Sequence, residues 1–469
     1  MGHNQNAAQA GQGTGRYSDA RNPGRFLYLH NTGDRAPAFL SKVAGHKIEI
    51  LFQYDAVDVD WSVFDAVIIP THCDQRHLAR NSAQLQNYLN GGGTLVINGH
   101  IETEFLPELT RFEPLAIRNL QNLVINRVAD HPVFSGIDSE TLTLRKGVAG
   151  FYGRGTNPPP SGAEILNTVS PDQLAVDWLY RRPSGGRIFC HSGNDFCGFF
   201  TSGSADSEQI IQRFYDWMAA TSLKGEGRSR PLQAANQNAI PTAGLSQPPD
   251  PGRVAIGAID GGLYYHHRSL FLPPFGRYFD EVVYVLDVPD TDLSRFDTLI
   301  LPCRMNARLL EAIADQLQDY MRGGGRLVVM GETLPDRWLP DVSYIPRETN
   351  YWWWLNKGAD LGVRIADPSH GLATYVSASD ATWHLHGVFE PRTAAQKSLI
   401  ETSENECLLF EDRETYAPGV LVATTLDPIY HHGSCFMPAT TKFLTGFMEW
   451  LSQTTNTGKP NSLIDDKET

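Results

Sequence analysis

Four histidines in the first part of the chain stand where they could do acid–base or metal chemistry. His30, His72, His100 and His191 each come at or just after the end of a short apolar run that predicts a strand. Because ligands bind outside the carboxyl ends of parallel strands, we expect these side chains to share one crevice. Imidazole suits zinc or another transition metal, and it also suits proton transfer near neutral pH. Further polar residues stand beside the histidines: Asn31, Cys73, Asp74 and Asn194.

Within this set, His100 and Cys73 are the candidate catalytic residues. His100 follows Gly99 at a strand end, and we expect a polar pocket there with at least two of its candidate neighbours: His30, His72, Cys73 and His191. The candidate ligand contacts are His30, Asn31, His72, Asp74, His191 and Asn194. The presence of a metal stays open, with zinc as the candidate. The plainer alternative is that these residues are polar loop side chains that cap turns.

The segment that positions His72 and His100 occurs twice in the chain. Residues 64–100 and 296–332 are identical at 16 of 37 aligned positions, with no insertion. The shared residues are structural ones, including a proline after a strand and three glycines before the next strand. The repeat predicts a strand–loop–helix–strand unit that was duplicated. His100 faces Glu332 in this alignment, so the scaffold was kept while the chemistry diverged.

Short apolar strands alternate with amphipathic helices in both copies. This pattern predicts an α/β protein whose parallel sheets are covered by helices on both faces. The predicted domains span residues 24–222 and 252–453. Composition predicts a disordered N-terminus at 1–23, a linker at 223–251 and a polar tail at 454–469.

Composition and charge exclude several classes of partner. The formal net charge of −14 argues against binding to nucleic acid backbones, which needs clustered Lys and Arg. No run of 18 apolar residues occurs, so we expect no membrane span. Six scattered cysteines without a CxxC pair indicate reduced thiols and a cytoplasmic protein.

The second copy lacks the four-histidine pattern, so we expect the primary ligand site in the first copy. It carries other polar residues at or near strand ends: Asp260, His266, His267, Arg304, Asn306, Glu332, Asp427, His431 and His432. It also has two aromatic runs, at residues 350–354 and 383–386. Flat aromatic faces bind sugar rings or bases, and they also pack in domain interfaces.

Three segments of the first copy resemble the trehalose-utilisation-protein (ThuA-like) family. They are GGGTLVINGH, which ends at His100, the run 130–137 (DHPVFSGI) and the run 186–194 (GRIFCHSGN). The second copy keeps the glycine run and a related late strand, GVLVATTLD. The resemblance covers roughly residues 24–222 and 252–453. It implies two flavodoxin-like domains of the class I glutamine amidotransferase-like group, in tandem.

The chain departs from glutamine amidotransferases where they carry their chemistry. Those enzymes hold a nucleophilic cysteine on a sharp strand-to-helix turn. The corresponding turns here are Gly99-His100 and Gly331-Glu332, and the late His-x-Glu partners are also missing. The resemblance therefore predicts a protein that is not a functional glutamine amidotransferase.

Two functions stay in view. In the first, domain 1 binds or transforms a small polar, sugar-like ligand at its strand ends, with domain 2 as support. In the second, two degenerate amidotransferase-like domains pack face to face as a non-catalytic interaction subunit with a protein partner or a second copy of the chain. The clustered histidines favour the first, while Glu332 and the tryptophans favour the second. We prefer the first, although catalysis itself stays open.

Overall fold

The structure is a computed structural model that describes residues 23–32, 37–169, 171–201, 205–222, 254–391, 393–435, 437 and 439–453. We call the residues described between 23 and 222 the first half, and those between 254 and 453 the second half. The predicted N-terminal segment, linker and tail fall almost wholly outside the described residues.

The first half builds one eight-stranded sheet. Its five parallel strands lie in the order Lys47–Phe52, Arg25–His30, Ala66–Ile69, Thr94–Asn98 and Arg187–His191. Three antiparallel strands extend the sheet: Leu174–Arg181, Glu164–Val169 and Ile125–Arg127. The inner strands Ala66–Ile69, Thr94–Asn98 and Arg187–His191 are buried at every position, as expected for a sheet covered on both faces.

The second half repeats this arrangement in a ten-stranded sheet. Its parallel strands lie in the order Glu281–Tyr284, Ile256–Asp260, Thr298–Leu301, Arg326–Met330 and Val420–Thr424. The remaining strands are Cys407–Asp412, Gln396–Glu401, Gly387–Phe389, Tyr344–Pro346 and Arg364–Ile365. Ala66 pairs with Thr94, and Thr298 pairs with Arg326, 232 residues later in both cases. The repeated segments therefore share one fold, down to the pairing register, as the sequence repeat predicts.

Helices cover both faces of each sheet. The α-helices of the first half are Gln75–Arg80, Ser82–Asn90, Ser139–Thr143, Phe196–Phe200 and Ala205–Ala220. Those of the second half are Tyr264–Phe271, Ala307–Ala312, Ala314–Arg322, Pro428–Gly433 and Thr440–Gln453. The helix Ser139–Thr143 begins after Asp138, whose side chain accepts a hydrogen bond from the Thr141 N–H. Short two-stranded ribbons, such as Leu144–Arg145 with Val148–Ala149, complete the loops.

The two halves pack through the edges where their parallel strands end. The guanidinium of Arg76 lies 4.2 Å from the ring of Tyr284, and that of Arg308 lies 4.4 Å from the ring of Phe52. Arg308 is the repeat equivalent of Arg76, and Tyr284 is that of Phe52, at the same offset of 232. The same surface of each half therefore faces the other across a pseudo-two-fold axis, as in an isologous dimer.

Ion pairs at the rim of the boundary use equivalent carboxylates with non-equivalent arginines. Arg308 pairs with Asp55 at 2.7 Å, and Arg80 pairs with Asp287 at 3.0 Å, where Asp55 and Asp287 are repeat equivalents. No helix in the described ranges is both long and apolar enough to cross a membrane. All six cysteines are free thiols.

Candidate metal centre

Several residues predicted to bind a ligand in the first half instead contact the second half. Burial, and then the charge of Arg304, hold the pKa of His72 well below its usual value, so its neutral Nε2 accepts a hydrogen bond from Arg304 at 3.2 Å. The amide of Asn306 donates to the carbonyl of Asn31 at 2.6 Å. Asp74 accepts hydrogen bonds from the hydroxyl of Tyr284 at 2.6 Å and from Tyr54 at 2.9 Å. These side chains hold the two halves together.

His100 is also covered by the second half. Its ring stacks on Phe112 at 3.6 Å, and its Nδ1 accepts a hydrogen bond from Arg268 at 2.9 Å. Burial, followed by the charge of Arg268, lowers the pKa of His100 well below its usual value, which keeps the imidazole neutral. The expected neighbour His191 also contributes to the lowered pKa of His100. Nδ1 of His191 lies 2.6 Å from Oδ1 of buried Asp177.

The other predicted residues lie apart from this contact. Cys73 is 1% exposed and packs among apolar side chains, and burial, followed by the charge of Asp74, raises its pKa. A thiol held in its protonated form is a poor nucleophile. His30 is half-buried with its ring against Phe52 at 5.1 Å, and Asn194 is exposed. His72 and His100 thus each accept a hydrogen bond from an arginine of the second half, whereas His191 pairs with Asp177 inside the first half.

A cluster of histidines and carboxylates lies instead in the second half. Glu332 follows the strand Arg326–Met330, and Asp427 follows the strand Val420–Thr424 on the neighbouring position of the sheet. His431 lies in the helix Pro428–Gly433, which starts directly after Asp427. His384 and His386 come from the loop that leads into the strand Gly387–Phe389. Adjacent strand ends and two flanking segments therefore bring the five side chains together.

Gly331 allows the two carboxylates to approach. Its backbone has φ +61°, a left-handed conformation that glycine adopts at little cost. A Cβ atom at this position would lie 2.5 Å from Cβ of Cys303 and 3.0 Å from Cβ of Asp427. Any other residue would push away the segment that carries Asp427, so the glycine of the repeated turn has a direct role in shaping this cluster.

The five side chains form two overlapping sets of metal-ligand type that share Asp427. One set is His384, Asp427 and His431, the other is Glu332, His386 and Asp427, and within each set the ligand atoms lie within 4.8 Å of one another. A tetrahedral zinc ion lies about 2 Å from each ligand atom, which places the ligand atoms about 3.3 Å from one another. Small side-chain adjustments are therefore enough for coordination.

Buried imidazole nitrogens in this cluster have no hydrogen-bond partner among the described residues. They are Nε2 of His384, Nε2 of His386 and both ring nitrogens of His431. Nε2 of His431 and Nε2 of His386 nevertheless lie 3.2 and 3.5 Å from oxygens of Asp427, so Nε2 of His384 and Nδ1 of His431 are the nitrogens without a polar contact. The three histidines are 7%, 5% and 1% exposed. Leaving a buried polar atom without a partner costs about 1–3 kcal/mol of stability, and a metal ion between His384, His431 and Asp427 would satisfy a ring nitrogen of each histidine.

The protonation states suit a cation. Burial, followed by the charge of His431, lowers the pKa of His384 to about 3, which leaves the neutral imidazole that metals bind. Burial raises the pKa of Asp427, but His431 and His386 outweigh it and hold this pKa well below its usual value. The two carboxylates and Arg304 together carry a formal charge of −1, which attracts a divalent cation.

Arg304 holds the two carboxylates from the side of the domain boundary. Its guanidinium lies 3.0 Å from Glu332 and 3.5 Å from Asp427, and it stacks over Tyr430 at 4.0 Å. Its backbone adopts φ +61°, a strained conformation for a residue other than glycine, and such strain concentrates at functional sites. Arg304 links the cluster to His72 of the first half.

Trp383 and Tyr351 complete the walls of the cluster. The indole N–H of Trp383 donates to Oδ1 of Asp427 at 3.0 Å and orients that carboxylate. The ring of Tyr351 lies 4.8 Å from that of His384, and 47% of the residue is exposed. Tyr351 therefore stands between the cluster and solvent.

The residues of this cluster are visible in the sequence, but their connection is not. Glu332, Asp427, His431 and Arg304 stand at or near predicted strand ends, whereas His384 and His386 stand out only for their aromatic neighbours. The His-x-His spacing is the signal that could have found the site, because alternate residues of an extended segment project to the same side.

No protein-family model and no curated protein matches this chain. Three solved structures are similar at TM-scores of 0.27–0.28 and 11–12% identity. They are the exo-β-1,4-mannosidase Op5Man5 from Opitutaceae bacterium strain TAV5 (43% of this chain, 36% of that chain), a protein described as a GMP synthase subunit from Thermoplasma acidophilum (42% and 94%) and the mmIFT52 N-terminal domain (41% and 97%). This chain spans about a third of the mannosidase, and likeness at this level carries no argument about fold or function.

Proposed function

We propose that the protein binds a divalent transition metal ion of the zinc class at His384, His431 and Asp427, with His386 and Glu332 beside it, and that the ion holds a small polar ligand. The observation that carries the proposal is the buried set of His384, Asp427 and His431, whose ligand atoms lie within 4.8 Å of one another and which leaves ring nitrogens of both histidines without a hydrogen-bond partner. Mixed nitrogen and oxygen ligands favour zinc and its neighbours over calcium or magnesium, which prefer oxygen alone. This proposal moves the expected ligand site from the first half to the second.

The neighbouring groups suit metal-assisted hydrolysis or hydration. A zinc-class ion lowers the pKa of a bound water, and a carboxylate beside it can take the proton. Glu332 has the more open side chain of the two carboxylates, with 35% exposed against 0% for Asp427. Glu332 then acts as the general base, and Arg304 stabilises negative charge that develops on the ligand.

Zinc titration of the chelator-treated protein tests this proposal. His431→Ala should weaken zinc binding by at least about 100-fold, since even the residues that orient ligands contribute 10–100-fold. His432→Ala is the matched control, because His432 follows in the same helix and bonds to Thr441 instead. Equal zinc affinity in the two variants, or no zinc uptake by the wild type, would refute the proposal.

We also propose that the two halves are flavodoxin-like domains of the ThuA-like group within the class I glutamine amidotransferase-like fold, spanning 24–222 and 252–453. Numbered along the chain, the parallel strands of each sheet lie in the order 2-1-3-4-5, which is the order of flavodoxin-like sheets. The glycine turns before His100 and Glu332 support the same proposal. A cytoplasmic location remains part of it.

The second candidate function is the non-catalytic interaction subunit. The contact between the strand-end edges of the two halves favours it, because that contact uses up Asn31, His72 and Asp74. A protein that takes up no zinc, and whose sedimentation shows stable self-association, would support this alternative over the metal centre.

A further inference from the structure

Cations of the first half line the side of the boundary that faces the metal cluster. The ammonium of Lys146 lies 5.0 Å from the ring of Trp352, next to Tyr351. Arg154 and Arg118 both donate hydrogen bonds to the carbonyl of Cys435, at 3.3 and 2.8 Å. In a chain with a formal charge of −14, such a group of cations beside one site has a local purpose.

Tyr430 connects these cations to the cluster. It lies in the helix of His431 and stacks under Arg304. Arg304 in turn lies 3.0 Å from Glu332 and 3.5 Å from Asp427. The carbonyl of Cys435, which Arg118 and Arg154 contact, belongs to the segment that directly follows this helix. The arginines of the first half thus approach the cluster through the segment that carries Tyr430 and His431.

Two polar groups around Tyr430 have no hydrogen-bond partner among the described residues. They are the hydroxyl of Tyr265, a residue that is 0% exposed, and Nδ1 of His72. The ring of Tyr265 lies 5.0 Å from that of Tyr430 and 5.8 Å from that of His72. A buried hydroxyl in this position is a donor that an anionic oxygen could satisfy.

We propose that the ligand of the metal centre is a small anion with a carboxylate or phosphate group, and that the cations of the first half select it. The inference rests on the proposed metal function. The ion takes one oxygen of the ligand, while Arg118, Lys146 and Arg154 attract its charge. Because Arg118 and Lys146 are exposed, their contribution acts at longer range and weakens with salt.

Calorimetric titration of zinc-loaded protein at low ionic strength tests this inference. Malonate and inorganic phosphate are the probes, and glycerol is the neutral comparison. Arg118→Gln and Lys146→Gln should each weaken binding of the anions by about threefold or more, with the zinc content unchanged. Arg322→Gln is the matched control, because Arg322 is exposed at the helix end that precedes Arg326–Met330, at the opposite edge of the sheet.

The outcomes separate the two proposals. Binding of both anions, or of one alone, with loss in the two variants and not in Arg322→Gln, supports the inference and identifies the anionic group. Zinc-loaded protein that binds neither anion, binds glycerol as well, or responds equally to all three substitutions refutes it while the metal proposal stands. Protein that takes up no zinc refutes the metal proposal, and this inference with it.

Discussion

Asp74 offers a sharp test of the contact between the halves. It is fully buried at the boundary and accepts hydrogen bonds from the hydroxyls of Tyr284 and Tyr54 and from the backbone N–H of His77. Burial nevertheless raises its pKa from the usual 3.8 to about 6. The ionised carboxylate is therefore less stable in the folded protein than in the unfolded chain.

The raised pKa sets both the size and the sign of the effect. A shift of about two units corresponds to about 3 kcal/mol, at 1.36 kcal/mol per unit. The folded state binds the proton more tightly, so this stabilisation is fully present below about pH 4 and is lost as the pH rises through about 6. An asparagine in place of Asp74 cannot ionise, and the repeat equivalent Asn306 shows that asparagine caps the corresponding helix.

The assay is urea unfolding of wild type and Asp74→Asn at pH values from 4 to 8, followed by tryptophan fluorescence. The free energy of unfolding of the variant minus that of the wild type should rise by about 3 kcal/mol between pH 4 and pH 7. Asp138→Asn is the control, because the hydrogen bond from the Thr141 backbone N–H lowers the pKa of the exposed Asp138. The free energy of unfolding of this variant should therefore fall relative to the wild type as the pH rises. Parallel curves for wild type and Asp74→Asn would refute the reasoning.

Three further experiments test the boundary and the missing glutaminase. Gly262→Ala should destabilise the protein strongly in thermal unfolding, because its Cβ would lie 1.8 Å from Oδ1 of Asp74. Gly358→Ala is the control: its Cβ meets open space at a similar φ, so this variant should lose only about 1 kcal/mol. Arg76→Gln should lose about 1.5–3 kcal/mol, because buried Asp260 would lose its ion pair and keep only the Gly262 N–H and nearby His266. The half-exposed equivalent Arg308→Gln should lose less than about 1 kcal/mol, and equal losses in urea unfolding would contradict this. Glutamine should release no ammonia with this protein, and ammonia release that disappears in Cys73→Ser would show that a nucleophile was overlooked.

The repeated fold could be predicted because its signals are local. The glycine runs, the apolar strands and the helix spacing of residues 64–100 recur at 296–332, and each dictates its own element. The parallel order of the sheet followed from the alternation of strands and helices. The break at Ile313, which separates the helices Ala307–Ala312 and Ala314–Arg322, has no equally clear local signal.

The location of the site could not be predicted in the same way. The contact between the halves depends on pairs such as Arg76 with Tyr284, whose members lie more than 200 residues apart. That contact covers His72 and His100, and no pattern near either residue indicates it. His384 and His386 reach Asp427 only because the antiparallel strands of the second sheet extend beyond Val420–Thr424. Both copies of the repeat carry an arginine at the equivalent positions 76 and 308. An exposed helix position does not require arginine, so this shared residue is a sequence signal for a symmetric contact.

The metal centre is the central claim, and anomalous X-ray scattering from crystals grown with zinc tests it most directly. Data collected on both sides of the zinc absorption edge should show one strong peak about 2 Å from ring nitrogens of the histidine pair 384 and 431 and from an oxygen of Asp427. The peak should be absent in crystals of His431→Ala and present in crystals of His432→Ala. A wild-type map with no zinc peak at this cluster, or with peaks only at exposed histidines, would contradict the account.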